Sequence, residues 1–292
     1  MNPLIQLKEG VSLLTWHRVA ADSLAPHELR TLHQFVRLGK KPPKRDVRAL
    51  RFAKYAEKLA APPASVNWSK FVRSWPMLAN DRLGDCTCAA YLHMIQAWRA
   101  ANGALFFPTD DQAIAMYEAV GGYVPGNPET DEGANEIDVL NYCRQTGVDA
   151  HKILAYVAVN PQNPTEVRQA INLFGGIYVG LAMPLAWQGR TTWDAPSDGM
   201  LARFTRAMFG QSPSWQPGSW GGHAVPVLDY DEGTLTPITW GSAAYRITSE
   251  GFAQFCDEAY AIVTPDFIGP KGVDPQGFDL AQLQKDLAEV SS

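Results

Sequence analysis

Asn80-Asp81-Arg82-Leu83-Gly84-Asp85-Cys86-Thr87-Cys88-Ala89-Ala90 is the stretch on which the reading of this 292-residue chain turns. A glycine turn delivers a cysteine to the start of a helix expected from about Thr87 to Ala100. Tyr91, Met94, Ile95 and Trp98 share one apolar face of that helix. At a helix start the dipole and unbonded N–H groups favour a thiolate, so Cys86 is expected to carry a depressed pKa. A small buried core side chain is the plainer reading of any one cysteine, and a nucleophile also needs a base. Trp220-Gly221-Gly222-His223-Ala224-Val225-Pro226-Val227 offers one: a histidine opening an apolar strand, after two glycines that permit close approach.

Together these segments resemble the papain/cathepsin cysteine peptidases. In that family a Val-Asp-Trp motif opens the mature domain and an oxyanion-hole Gln lies six residues before the catalytic Cys. Here Val66-Asn67-Trp68 stands in the first position, Asn80 lies six before Cys86, and Trp68 lies eighteen before it. That register makes Cys86, not Cys88, the nucleophile. The family His follows the Cys by about 130–150 residues; His223 follows Cys86 by 137. The resemblance covers roughly residues 62–268 and implies an α+β fold, with a helical half carrying the Cys, an antiparallel β half carrying the His, and a groove between. It implies Cys86, His223, Asn80 and Thr239 as catalytic residues, with Gly84, Asp85, Trp220 and Gly222 binding substrate. Besides Asn67 in the opening motif, three positions depart from the family. Asn80 is one methylene shorter than Gln, Thr87 replaces an aromatic, and the orienting Asn is replaced by Thr239, or by Ile238 if the alignment is anchored on Trp240. Asp229 or Asp231 is an alternative orienter. The GK-P-x-R-D … W-P-M-x-x-N-D-x-x-G-D-C pattern further resembles phage and prophage proteins.

The remaining chain reads as helices first and strands later, the α+β layout. Thr109 with Gln112 makes a capping box for a helix through Ala119. Another helix spans about Glu136 to Gln145 and stops at Gly147. Asn163-Pro164-Thr165-Glu166 caps a fourth, which Gly175-Gly176 ends. Strands are expected at Ile177–Leu181, Ala224–Tyr230, Leu235–Trp240, Tyr245–Thr248 and Tyr260–Thr264, with a short helix at Gly251–Glu258.

Residues 1–61 read as a basic N-terminal extension, either an arm or proregion-like; 62–268 form the papain-like domain and 269–292 a tail. Within the extension, helices are expected at Pro26–Arg37 and Val47–Ala60, the second ended by Pro62-Pro63. Residues 1–75 hold 14 Lys/Arg against 5 Asp/Glu, and the remainder 11 against 25. The densest basic run, Arg37 to Lys58, is better read as lying on the protein's own acidic body, or as a solvated helix face, than as a grip on an acidic partner. It lacks the aromatic interleaving of a nucleic-acid binder.

Other chemistries find little support. The Cys86-x-Cys88 pair has no second pair and no zinc-finger histidine, so no metal or cofactor is expected. His93 lies about 10 Å from Cys86 by helical rise and reads as structural, as do His151 and the three histidines of the extension. Cys143 and Cys256 read as core. Asp131, Glu132, Glu136 and Asp138 lack calcium-loop spacing and read as a solvated helix start. Trp187, Trp193, Trp215 and Trp220 line a groove or pack a long loop. Gln169 to Gly189 has membrane-span length, but Asn172, Gly175-Gly176 and Pro184 argue against a span. No basic n-region precedes an apolar run at the start, and four cysteines make no disulfide framework. The expected setting is therefore intracellular, in a host cytoplasm or a virion. The partners expected are a peptide or protein substrate and a protein met through the basic arm, without membrane or nucleic acid. The functional expectation is a thiol hydrolase, a cysteine peptidase cleaving peptide or isopeptide bonds through a Cys86-His223 dyad. The alternatives are a non-catalytic phage or prophage structural or binding protein on the same scaffold, and an acyl or amide transferase using the same dyad.

Overall fold

The computed structural model describes residues 36–44, 50–56, 59–196, 212–268 and 285. Its helices among these residues are α1 (Phe52–Tyr55), α2 (Cys86–Ala101), α3 (Asp110–Gly121), α4 (Glu136–Gln145), α5 (Pro164–Phe174), α6 (Ser249–Phe255) and α7 (Pro265–Ile268). The strands are β1 (Val66–Asn67), β2 (Ala155–Ala158), β3 (Ile177–Met183), β4 (Thr192–Trp193), β5 (Gly221–Tyr230), β6 (Thr234–Pro237), β7 (Arg246–Thr248) and β8 (Cys256–Val263). They form one sheet ordered β2-β8-β3-β5-β6-β7-β4, with β1 pairing off the path to β5. Every pairing is antiparallel except β4 with β7.

Local chemistry explains the helix ends. Thr109 and Gln112 form the expected reciprocal capping box at the start of α3. Asn163 accepts from the Glu166 N–H, Pro164 takes the first helical position, and Gly175 ends α5 at φ +68°. The expected Gly251–Glu258 helix starts two residues early and gives way at Cys256 to β8, because tertiary pairing with β3 captures those residues. Likewise β6 stops at Pro237; the Ile238 N–H still donates to the Pro226 carbonyl, and the chain then turns at Thr239 and Trp240 toward the site. Sequence reading missed β1, β2 and β4.

Residue alternation on the central strands divides the core in two. Tyr178, Ala224, Tyr260 and Ile262 face a cluster built with α2, α3 and α4. Val179, Val225, Val227, Ala259 and Ala261 face the other cluster, with α5 and α6. Helix α2 is buried continuously from Cys86 to Trp98, as suits a helix sandwiched between layers rather than one with a wet face. Two hydrogen bonds fix its position: the Tyr178 hydroxyl donates to the Thr87 carbonyl at 2.8 Å, and Trp98 Nε1 donates to the Phe174 carbonyl at 2.8 Å.

The described part of the extension belongs to this core. Of the expected Val47–Ala60 helix, the described residues hold only the turn α1. Leu50 instead accepts from the Ala158 N–H, so the chain before α1 is tied to an edge strand. Phe52 and Tyr55 are buried with Val36 in the α5-side cluster. The expected helix at Pro26–Arg37 lies outside the described residues except for Val36 and Arg37, which are not helical. Phe52→Ala is therefore expected to destabilise the whole chain by about 3–5 kcal/mol, the usual cost of emptying a buried phenylalanine site. Chemical denaturation checks it; a loss below about 1 kcal/mol would mean that the extension merely rests on the domain.

Candidate active site

Cys86 begins α2 and is buried, 1% exposed. The backbone N–H of Ala224 on β5 points to the thiol sulfur at 3.4 Å. The preceding residue, His223, places Nε2 2.7 Å from the Thr239 hydroxyl. The His223 ring stacks on Trp240, 4.7 Å between centroids and 21° between planes. Trp240 sits at φ +47°, a left-handed conformation that costs a non-glycine residue of order 1 kcal/mol or more. The stack on His223 and the packing of Trp193, Trp220 and Tyr245 around the indole hold it there. The start of β5 thus meets Cys86 through the Ala224 N–H, while His223, one residue before, meets Thr239 across the hairpin. Asp229 and Asp231 are engaged elsewhere, the first with the Ser69 hydroxyl and N–H, the second with the turn at Gly233 and Thr234.

The groove between the layers is filled by the chain's own residues 36–44. The Lys40 N–H donates to the Gly222 carbonyl at 3.0 Å, the Ala134 N–H to the Gly39 carbonyl at 2.9 Å, and the Lys41 N–H to the Ala134 carbonyl at 2.9 Å. The Arg37 N–H donates to the Asn80 carbonyl. Asn80 spends its side-chain amide on the Leu83 carbonyl at 3.1 Å and the Arg37 carbonyl at 3.3 Å. The fit leaves no room for side chains at the crossing points. A Cβ on Gly39 would lie 1.8 Å from the Gly84 carbonyl oxygen, and one on Gly222 would lie 2.1 Å from the Lys40 oxygen. Gly84 and Gly222 therefore touch the arm's backbone. Asp85 is fully buried, and Trp220 lies half-buried against Trp240.

This burial reverses the expected thiol chemistry. Loss of solvent pushes the Cys86 thiol up to about 12, although the N–H groups of Ala224 and Gly39 act to lower it. Burial likewise holds the Asp85 carboxyl well above its ordinary range, with Asn80 drawing it back. Cys88, fully buried, is raised well above the ordinary thiol value by burial and then by Asp85.

The basic arm meets acids of the body. Lys41 approaches Glu132 at 3.8 Å, Lys44 pairs with Asp138, and Lys40 lies 3.0 Å from both Asp257 and Glu258. Burial opposes the Lys40 charge, but Glu136, Glu258 and Asp257 outweigh it and push its pKa up. Glu136 corrects the reading of a solvated helix start: it is 0% exposed, and burial, with Glu258 close by, holds its carboxyl well above the usual range. Asp131 is likewise structural, accepting from the Gly84 N–H and the Tyr117 hydroxyl. Among the described residues no cluster of His, Cys, Asp and Glu could hold a metal ion.

His93 packs edge-on against Trp75, lies 2.9 Å from the Pro76 carbonyl, and is lowered to about 4 by burial. His151 sits 2.9 Å from Asp266, and Cys143 and Cys256 are core. The histidines at 17, 27 and 33 lie outside the described residues. Trp187 and Trp193 are fully buried and stacked 5.3 Å apart, so they pack the loop rather than line a groove. Among the described residues no helix is long and apolar enough to cross a membrane.

No protein-family model matches the chain, and no curated sequence is significantly similar to it. Solved structures are. Xylellain, a cysteine protease from Xylella fastidiosa, superposes with a TM-score of 0.61 at 17% identity, over 79% of this chain and 97% of that one. The fold is papain-like. The cysteine protease and lectin-like domains of Cwp84 from Clostridium difficile match with a TM-score of 0.53 at 11% identity, over 82% of this chain and 59% of that one. The proform of the ragweed pollen cysteine protease Amb a 11 matches with a TM-score of 0.51 at 13% identity, over 87% and 77%.

The raised Cys86 thiol sets the first solution test of this site. In the full-length protein, iodoacetamide alkylation of Cys86, followed by peptide mass mapping, is expected to rise about tenfold per pH unit through pH 10 without a plateau, because the reactive thiolate is the minor form throughout. A plateau reached by about pH 10 would show an ordinary or depressed thiol.

Proposed function

We propose that the chain is a thiol hydrolase, a cysteine peptidase cleaving peptide or isopeptide bonds, which residues 36–44 hold closed. One observation carries this reading: the Ala224 N–H reaches the Cys86 sulfur at 3.4 Å while the adjoining His223 engages Thr239 at 2.7 Å. With the Nε2 proton donated to Thr239, the other imidazole nitrogen is left to act as base. Cys86 gives its proton to His223 and its sulfur attacks the substrate carbonyl carbon. Collapse breaks the C–N bond, and the leaving amine takes the proton from His223. Water, deprotonated by His223, then releases the acyl group as a carboxylic acid and restores the thiol. The oxyanion would be held by the Cys86 N–H and by the Asn80 amide once Arg37 no longer occupies it.

The arm supports a latent form for a chemical reason. It presents the Gly39 N–H to the sulfur, so a hydrogen-bond donor stands where a substrate carbonyl would approach. Departure of the arm readmits water, relieves the burial that raises the thiol, and frees the Asn80 amide. A non-catalytic structural or binding role is not favoured, because a dyad kept only as scaffold has no need of the Thr239 contact. A phage or prophage origin draws no support from the solved structures compared.

Full-length Gly39→Val tests the reading, since a side chain at residue 39 collides with the Gly84 backbone. A peptide-like epoxide directed at thiol peptidases is expected to add once to this variant near neutral pH, and slowly to the unaltered chain. Cys86→Ala should abolish the adduct and Cys88→Ala should leave it. His223→Ala should slow it about 10²-fold or more, the ordinary worth of a general base. Thr239→Val should slow it about tenfold and Thr239→Asn should restore it, one step on the scale of a lost orienting hydrogen bond. Labelling that ignores His223 would overturn the hydrolase reading.

A further inference from the structure

Lys40 is the arm residue whose side chain leaves the groove altogether. It is 1% exposed as a side chain and runs into a recess between α4, β3 and β8. Gly180 makes the space: a Cβ there would lie 1.9 Å from Lys40 Cε and 2.8 Å from Glu258 Cγ. Three carboxylates belong to the recess, two of them within ion-pair distance of the ammonium and the third, Glu136, farther off. Asp257, with a side chain 29% exposed, forms the solvent rim; its two oxygens each lie 3.0 Å from Nζ. Glu258, 6% exposed, also lies 3.0 Å from Nζ and is steadied by the Tyr260 hydroxyl, which donates to its other oxygen at 3.0 Å. Glu136 is the third, and neither of its carboxyl oxygens has a hydrogen-bond partner among the described residues.

Three buried or half-buried acids around one lysine exceed what is needed to neutralise that lysine. Burying carboxylates is costly, and backbone hydrogen bonds already hold the arm along the groove, so anchoring alone does not account for this number of acids. Its chemistry instead fits selection of a cation on a long, thin stem. We infer that the recess formed by Gly180, Glu136, Asp257 and Glu258 is a specificity pocket that receives a lysine side chain of the substrate, and that Lys40 occupies it as a stand-in while the arm is down. This rests on the hydrolase reading of the adjoining Cys86. Lys40 follows directly on Gly39, whose N–H faces the sulfur, so the selected lysine lies within about two residues of the attacked bond, given 3.8 Å per Cα step. Glutamate is excluded by charge. Norleucine fills the stem but leaves the acids unpaired, so discrimination against it reads the carboxylates alone.

The test uses the full-length Gly39→Val/Lys40→Ala protein, in which the arm is displaced and its own lysine removed. N-acetylated tripeptidyl coumarin amides carrying lysine, norleucine, arginine or glutamate at the last or second-last residue are the substrates. The matching tripeptide amides, which lack the coumarin, serve as ligands in a thermal-shift titration. The lysine compound is expected to be cleaved at least tenfold more efficiently than the norleucine one, and to be the better stabiliser. Glu136→Gln/Glu258→Gln should erase both preferences, and Gly180→Ala should block the lysine compound by filling the stem space. Equal cleavage of lysine and norleucine compounds overturns the pocket and leaves the hydrolase standing. A lysine preference in binding with no coumarin released from any compound upholds the pocket and overturns the hydrolase. Absence of both overturns both.

A second measurement does not depend on the displaced arm. Lys40→Met in the otherwise unaltered chain should raise iodoacetamide labelling of Cys86 at least tenfold, because the acids no longer hold the arm down. An unchanged rate would make Lys40 mere filler and overturn the pocket.

Discussion

Three successive residues of β5 carry the constraint on which the rest of this molecule depends. Gly222 offers its carbonyl to the arm, His223 offers its ring to Thr239, and Ala224 offers its N–H to the Cys86 sulfur. A strand alternates its side chains and its backbone groups in fixed order, so these three functions are locked in register with one another. Everything else places partners around that strand. The Tyr178 hydroxyl, on the neighbouring β3, pins the Thr87 carbonyl and with it the first turn of α2. Trp240 accepts a strained backbone to lie flat on the imidazole and bring Thr239 into reach.

The electrostatics of the groove follow from what covers it. With the arm in place the thiol is buried, and burial outweighs the N–H groups that would otherwise favour a thiolate. The same covering puts a lysine among acids that would be costly to bury without it. The arm is therefore held by two different means. Backbone hydrogen bonds to Gly222 and Ala134 follow the groove, and one side chain enters the acidic recess beside it. The first would suit many sequences; the second suits a cation. A solvent-exposed ion pair contributes little, and those of Lys41 and Lys44 are of that exposed kind. Lys40 differs because it and Glu258 are both withdrawn from water, with Asp257 at the rim.

Much of the fold was legible because local rules and tertiary packing agree in it. The capping box at Thr109, the proline and asparagine at the start of α5, and the glycine that ends it act over four residues or fewer. Elements that failed to read correctly are those where distant pairing overrides local preference. Residues 256–258 pass from helix to strand because β3 pairs with them, and the chain before Phe52 is tied to Ala158 rather than continuing a helix. The recess around Lys40 was not legible at all. Its lysine appears as one of many in a basic run, and Asp257 lies 217 residues later. Glu136 looks in sequence like any acid in a first helical turn, and only packing decides that it is fully buried.

By itself the sequence determined the order and identity of the parts: a cysteine at a helix start, a histidine opening an apolar strand, and a spacing between them that resembles one family. Those are properties of short segments, set by turn chemistry, capping and periodicity. Tertiary structure alone decided that the thiol is raised rather than lowered, that Thr239 and not Asp229 or Asp231 meets the histidine, and that residues 37–41 lie beside the site. Each of these depends on how much water remains around a group and on which distant residue takes its place, and no local pattern encodes either quantity.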